Sequence, residues 1–192
     1  IILTNIITFI FYKNDNLKNY IFSEKDLKLI KINEMNPKKL EKAYRQECNF
    51  YNDPRIYPLH NVMKNNINEN CYKNPDNKKT IFIWGDSHAQ AIGAGINDFE
   101  QEEYFIAQIA SSSCPPRLEK LINEPNWCSK SNLFAKEIIK KSIPEIVILA
   151  QQKNHEQTNW LKIATELKKY GVQKIILIGP TPQYIYSLPL IK

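Results

Sequence analysis

The chain has 192 residues, a net charge of +6 and a hydrophobic fraction of 43%. This length predicts one domain that buries roughly 70% of its unfolded surface, and it argues against two full-sized domains. The positive charge could suit an anionic partner, but the lysines are scattered and no basic stripe alternates with aromatic residues. The composition therefore predicts no nucleic-acid partner.

Residues 1–12 form an apolar stretch that ends abruptly at Lys13. A membrane-spanning helix needs about 20 apolar residues, so this stretch is too short to span a bilayer alone. It could be a buried element of the domain, a signal-peptide core, or the end of a transmembrane helix that starts upstream. We favour the transmembrane end, because Tyr12 suits a membrane interface and a lysine-rich segment follows. Residue 1 is Ile rather than Met, and this also predicts an upstream continuation.

Residues 13–79 are polar and show few periodic runs, so we interpret them as a linker or extension packed beside the domain. Two of the four cysteines, Cys48 and Cys71, lie in this segment, and the other two are Cys114 and Cys128.

The cysteine spacing argues against zinc, because none of the four belongs to a C-x-x-C pattern. Four cysteines allow three disulfide pairings. We prefer neighbour pairing, Cys48 with Cys71 and Cys114 with Cys128, in which each bond closes a moderate loop worth about 3 kcal/mol. Disulfides predict an oxidising compartment. The alternative is four buried free thiols.

From Thr80 onward, apolar runs alternate with helix-forming segments. Strands are predicted at 80–84, 104–110, 145–150 and 173–180. Three helices are predicted: one that follows the first strand and ends at about Phe99, one at 131–141, and one at 156–170. Ser131 is the predicted N-cap of the second helix. The run 145–150 is typical of a strand buried on both faces of a parallel sheet. Strands that alternate with helices predict a three-layer α/β fold with a mostly parallel sheet.

The tetrapeptide Gly85-Asp86-Ser87-His88 stands between the first predicted strand and the first predicted helix. A serine there lies at the carboxyl edge of the sheet, where ligands bind in open α/β folds. The first N–H groups of a helix lack partners within the helix and favour negative charge. They would stabilise the oxyanion formed when Ser87 attacks an acyl group. Ser87 is therefore a candidate nucleophile.

A serine nucleophile needs a base, which is normally a histidine oriented by a carboxylate. The chain has three histidines. His88 adjoins Ser87 but would point elsewhere from the helix start, and we interpret His60, in the linker, as structural. His155 follows the third strand at the correct edge of the sheet, which makes it the in-chain candidate for the base.

Residues 84–89 (WGDSHA) and 112–116 (SSCPP) together resemble the SGNH-type domain of bacterial membrane O-acyltransferases, the O-antigen and peptidoglycan O-acetylase type. The resemblance covers the apolar start, the linker and the domain as far as Pro182. It implies an SGNH-like, flavodoxin-like domain at 80–192, incomplete at its carboxyl end. It also implies a periplasmic location, a linker, and a multi-helix membrane domain on the same polypeptide in the inner membrane. The two cysteine pairs also fit such domains.

The resemblance implies that Ser87 is the nucleophile and that its backbone N–H is one oxyanion donor. Hydrolases of this fold take a second donor from a glycine after the second strand, which residues 110–113 lack, so another backbone N–H must serve. A third donor is an Asn in a Gly-x-Asn-Asp motif, which is missing from residues 150–154. Gln152 stands in register with that Asn, and its side-chain amide could donate instead.

The family's base and its carboxylate lie in an Asp-x-x-His motif near the carboxyl terminus, and nothing in this chain matches it. We therefore expect the histidine beyond Lys192. Loss of a triad member costs on the order of 10⁴ to 10⁶ in turnover, so the activity would be incomplete in this chain.

The leading hypothesis is transfer of an acyl group, such as acetyl, to a carbohydrate hydroxyl of the cell envelope, for example in lipopolysaccharide. The acyl donor would arrive through the membrane domain, and neither a cofactor nor a metal is predicted. Hydrolysis of an acyl sugar uses the same chemistry.

Two alternatives remain open. The domain could bind glycan or dock on the membrane portion without turnover, in which case Ser87 would be a helix N-cap. Alternatively, Asp86 and His88 could form the Asp-x-His of a dinuclear metallophosphatase. That site needs further ligands, and no Gly-Asp or Gly-Asn-His recurs downstream.

Overall fold

The structure, a computed structural model, describes residues 44–52, 63–97 and 103–180. All of them lie within one compact unit, Glu41–Thr181. The predicted membrane segment 1–12 and the histidine of the linker, His60, lie outside the described residues. Among the helices that are described, none combines the length and hydropathy needed to cross a bilayer.

Four strands alternate with three α-helices in the described part of the chain. The strands are β1 (Lys79–Gly85), β2 (Tyr104–Ala110), β3 (Ile146–Ala150) and β4 (Lys174–Ile178), and the helices are α1 (Ser87–Asn97), α2 (Asn126–Ser142) and α3 (Trp160–Lys169). Short 3-10 turns occupy Gln46–Cys48, Glu69–Cys71 and His155–Gln157. The alternation confirms the predicted α/β class.

The sheet has the strand order β2-β1-β3-β4, and every neighbouring pair is parallel. Gly85 lies opposite both Ala110 and Ala150, and Ala150 lies opposite Ile178, so the four strands end level. From β1 the chain passes to β2 on one side and then crosses to β3 on the other. The carboxyl ends of β1 and β3 therefore flank a topological switch point, where ligands bind in open α/β sheets.

Side chains of successive residues in each strand point to opposite faces of the sheet. On one face, Phe82 and Trp84 pack in a core that includes Ile139 of α2 and Leu167 of α3. On the other face, Ile83 packs in a smaller core beneath α1. The sheet is thus covered on both faces, as a three-layer fold requires.

Two disulfides are present, and they join the neighbouring cysteines: Cys48 with Cys71, and Cys114 with Cys128. Cys48 and Cys71 are fully buried in the larger core. Nearby, the Arg45 guanidinium donates to the carbonyl of Ile106 at 2.8 Å. These contacts hold the described part of the extension against β2.

Two predicted helix starts were wrong. Helix α2 begins at Asn126, directly after Pro125, so Ser131 is not its N-cap but a buried residue inside the helix. The second helix was predicted to begin at Glu156. In the structure Glu156 lies in a 3-10 turn, and α3 begins at Trp160. Asn159 caps α3 by accepting a hydrogen bond from the Lys162 N–H at 2.9 Å, and this fixes the later start.

Candidate active site

The turn between β1 and α1 requires a glycine at position 85. Gly85 has φ +156°, and a Cβ atom added to it would lie 1.8 Å from the carbonyl oxygen of Ala150. No side chain fits at that separation. The next residue, Asp86, donates its N–H to the same carbonyl at 3.3 Å. The turn is therefore pressed against the end of β3.

The Asp86 carboxylate bridges two elements of the site. Its Oδ1 accepts a hydrogen bond from the His88 N–H at 2.9 Å, and its Oδ2 accepts one from the Gln152 N–H at 2.7 Å. The first bond is a helix N-cap interaction, and the second attaches the loop after β3. Asp86 is 4% exposed, so both bonds are sheltered from water.

Ser87 is the first residue of α1 and is half-buried. Because Asp86 caps the helix, the Ser87 hydroxyl is not used for capping. Within the described part of the chain, neither the hydroxyl nor the backbone N–H of Ser87 has a hydrogen-bond partner. A serine with an unengaged hydroxyl and an unengaged N–H at a helix start has the two groups that acyl-enzyme chemistry needs.

Burial raises the pKa of the Asp86 carboxyl above its ordinary value, because desolvation penalises the charged form. The N–H groups of Gln152 and His88 and the imidazoles of His88 and His155 act in the opposite direction. The Nδ1 atom of His88 lies 3.9 Å from Asp86 Oδ1. Both histidines are thus within electrostatic reach of the carboxyl.

The loop after β3 is held in one conformation by the buried side chain of Gln151. Its Oε1 accepts from the Thr158 hydroxyl at 2.9 Å, and its Nε2 donates to the Lys153 carbonyl at 2.8 Å. The next residue, Gln152, meets Asp86 through its backbone and has an exposed side chain. The structure therefore places both Ser87 and Gln152 next to Asp86, at the carboxyl ends of β1 and β3.

His155 lies in the same loop, but its ring is engaged elsewhere. Nε2 is 2.9 Å from the Gln151 carbonyl, which requires this nitrogen to carry the proton, and the ring centroid is 5.7 Å from that of Trp160. The described residues include no hydrogen bond between His155 and Ser87. The geometry thus does not pair the in-chain candidate base with the candidate nucleophile.

The loop after β2 contributes a feature that the sequence analysis missed. Ser111 and Ser112 donate their N–H groups to the carbonyls of Gly85 and Tyr51, at 3.0 and 3.1 Å. Ser113 has φ +59°, in the left-handed region that glycine favours, and among the described residues its N–H has no partner. Ser113 thus has a backbone conformation that is typical of glycine, and the sequence pattern did not predict it.

The described residues do not provide the ligands that a dinuclear metal site at Asp86 and His88 would need. The cluster there with metal-ligand spacing contains Glu47, Cys48 and Cys71, but its sulfurs are joined in a disulfide and are not thiolates. Both oxygens of Asp86 accept backbone N–H groups. The residues present do not fit a dinuclear centre.

Comparison with known proteins identifies the family. Residues 48–190 match the family described as the SGNH domain, fused to AT3 domains. The chain belongs to the SGNH domain family. This confirms the resemblance carried by residues 84–89 and 112–116.

A solved structure resembles this SGNH domain: the periplasmic domain of the lipopolysaccharide acetyltransferase of Salmonella ser. Paratyphi A. The two share 23% sequence identity with a TM-score of 0.50, over 76% of this chain and 57% of that one. This similarity supports the fold. The chain spans less than two thirds of that structure. Comparison with curated proteins gave no match.

Proposed function

We propose that this SGNH domain transfers an acyl group, in particular acetyl, to a hydroxyl of a cell-envelope carbohydrate through an acyl-enzyme on Ser87. The proposal rests on one observation in the β1–α1 turn, which is that the residue that caps the helix is not the serine. Asp86 caps the helix, which leaves the Ser87 hydroxyl unengaged among the described residues. A serine whose role was capping would occupy the position that Asp86 takes.

In the first step, the Ser87 Oγ attacks the carbonyl carbon of the acyl donor and gives its proton to a base. The bond to the donor's leaving group then breaks, and the leaving group takes that proton. In the second step, the carbohydrate hydroxyl gives its proton to the base and attacks the acyl carbon. The ester bond to Ser87 Oγ breaks, and Oγ takes the proton from the base, which regenerates the Ser87 hydroxyl. We assign the base to a histidine outside the described residues, since His155 is bound to Gln151.

Three groups are proposed as donors to the oxyanion: the N–H of Ser87, the N–H of Ser113 and the side-chain amide of Gln152. Removal of one such donor typically costs 10² to 10³ in turnover. The positive end of the α1 dipole adds to the same stabilisation. The scheme requires neither a cofactor nor a metal ion.

The family's fusion to AT3 domains supports an acyl donor delivered by a membrane domain of the same polypeptide. The two disulfides are consistent with a periplasmic location, because they persist in oxidising compartments. The acetyltransferase named for the similar structure acts on lipopolysaccharide. It supports an envelope glycan as the acceptor class for this domain as well.

The second candidate function is glycan binding or docking without turnover. It is favoured by the absence, among the described residues, of a hydrogen bond between Ser87 and the imidazole of His155. On this alternative, Ser87 would not react, and its replacement would not alter acetylation.

The test is labelling of the intact protein with a fluorophosphonate probe, followed by mass spectrometry of the modified peptide. We expect one labelled serine, Ser87, and loss of labelling in Ser87→Ala. The matched control is Ser142→Ala, at an exposed helix end, which should label normally. If Ser87 is not labelled, and Ser87→Ala acetylates envelope glycan as well as the wild type, the non-catalytic function is correct.

A further inference from the structure

A groove of about 180 Å³ lies between the loop that follows β2 and the start of α3. One wall is formed by residues 116–119 and 121, and the other by residues 157–159, 162 and 163. We call it the loop groove. Both walls come from segments that follow the carboxyl ends of strands, so the groove belongs to the same end of the sheet as Ser87.

The loop groove combines an apolar base with a polar rim. Ile163, which is 3% exposed, and Leu118 and Pro116 supply the apolar surface. Gln157 and Asn159 contribute exposed amides to the rim. Donors and acceptors thus surround an apolar surface, an arrangement typical of small polar ligand sites.

Each of the two cations that line the groove has a carboxylate partner. Lys162 Nζ lies 2.6 Å from Glu119 Oε1, and Arg117 Nε lies 3.9 Å from Glu124 Oε1, which is outside the groove lining. This pairing lowers the attraction of the rim for an anionic ligand. The Arg117 guanidinium donates no hydrogen bond within the described part of the chain, so its N–H groups remain available to an oxygen acceptor.

We propose that the loop groove is the acceptor subsite and that it holds a neutral pyranose ring of the glycan. A pyranose has one apolar face of C–H groups and a ring of hydroxyls that both donate and accept. The apolar base would receive the C–H face, and the polar rim would bond the hydroxyls. This assignment of the substrate class rests on the function proposed above.

A short chain of hydrogen bonds connects the loop groove to the nucleophile's turn. Thr158, on the groove wall, donates to the side chain of Gln151 at 2.9 Å. The adjacent Gln152 donates its N–H to Asp86, the residue before Ser87. The wall and the turn are thus parts of one bonded unit, so a sugar in the groove would be held in a fixed relation to Ser87.

The test measures sugar binding to the whole 192-residue chain, independently of catalysis. Methyl α-glycosides of glucose, galactose and rhamnose are titrated into ¹⁵N-labelled protein, and amide shifts are recorded by NMR. We expect saturable shifts for at least one glycoside, confined to residues 116–121, 157–163 and their neighbours. Shifts that are absent, or scattered over the surface, would overturn the proposal. Tighter binding of methyl glucuronide than of the neutral glycosides would overturn the neutral assignment.

Variants localise the site. Lys162→Ala combined with Gln157→Ala should weaken glycoside binding at least fivefold, since both side chains are exposed on the rim. Lys169→Ala, at the far end of α3 and outside the groove, is the matched control and should bind as the wild type does. Equal affinity of the double variant and the wild type would overturn the proposal.

Fluorophosphonate labelling separates the two proposals. Labelling of Ser87 should be unchanged in the groove variants, because the groove would contact the acceptor and not the acyl donor. Sugar binding without labelling of Ser87 would refute the acyl-enzyme but leave a glycan site in the groove. Labelling without sugar binding would refute the groove assignment alone.

Discussion

The carboxylate of Asp86 accepts a hydrogen bond from the backbone N–H of Gln152 at 2.7 Å, across 66 positions of sequence. The same side chain caps α1 through the His88 N–H. One buried carboxylate therefore fixes both the helix start that carries Ser87 and the loop that carries Gln152. The spacing between the proposed nucleophile and the proposed oxyanion donor depends on this residue.

Asp86→Asn should weaken both the fold and the reaction. An amide offers a single acceptor oxygen, so one of the two N–H groups would face a donor and lose its bond. We expect a loss of about 1–3 kcal/mol in the free energy of unfolding. Displacement of the Gln152 loop should also slow fluorophosphonate labelling of Ser87, by up to about 10²-fold.

Urea unfolding and labelling kinetics check this expectation. Asp76→Asn, whose side chain is 66% exposed, is the matched control and should change neither quantity. Wild-type stability and labelling in Asp86→Asn would show that the two bonds do not position the site.

The stability difference between the wild type and Asp86→Asn should depend on pH. Burial raises the pKa of Asp86 above its ordinary value of 3.8, so folding favours the protonated form. The contribution of this group to the free energy of unfolding is therefore fully present below pH 3.8 and is lost as pH rises through the raised pKa. The wild type's advantage over Asp86→Asn should thus shrink with increasing pH and then level off. Urea unfolding across this range measures it, and an advantage that grows with pH would contradict the burial argument.

Two glycines give opposite predictions for replacement by alanine. Gly85→Ala would place a Cβ 1.8 Å from the Ala150 carbonyl oxygen, so β1 and β3 must separate, and we expect a loss of more than about 3 kcal/mol. Gly95→Ala, in α1, meets nothing within 4 Å and should gain about 0.5–1 kcal/mol from helix propensity. Thermal unfolding of both variants tests the pair. Equal effects would mean that the close approach at Gly85 is relieved at little cost.

Removal of the Cys114–Cys128 disulfide should destabilise the loop after β2. The bond closes a separation of 14 residues, which corresponds to about 3 kcal/mol in the chain-entropy model. The Asn132 amide also lies 3.6 Å from both sulfurs and bonds the Pro115 carbonyl. We therefore expect Cys114→Ala/Cys128→Ala to lower Tm and to make the loop groove accessible to proteases.

The measurement compares Tm and limited proteolysis with and without reductant. In the double variant, reductant should act only through Cys48–Cys71. If the double variant and the wild type are cleaved equally at residues 111–125, the disulfide does not hold this loop.

Local sequence patterns predicted the alternation of strands and helices because each element is specified by its own apolar period. The β2 strand at Tyr104–Ala110 matches its predicted range. The predicted start of α2 was wrong. Ser131 is a residue type that often caps helices, but here it faces the core, where its hydroxyl accepts a hydrogen bond from the Ser111 hydroxyl at 3.0 Å. The capping propensity of a serine can be recognised from its neighbours in sequence. The burial of Ser131 cannot, because it depends on Ser111, which is 20 residues away.

The tetrapeptide at residues 85–88 predicted by itself a sharp turn between a strand and a helix, with Ser87 in the first turn of that helix, because an apolar run precedes it and helix-forming residues follow it. The tertiary structure decided which residue caps the helix, which N–H groups remain available, and that Ser113 adopts the backbone conformation of a glycine. These outcomes depend on contacts between segments far apart in sequence, such as Asp86 with Gln152. Such contacts arise only when the ends of β1 and β3 are brought level in one sheet.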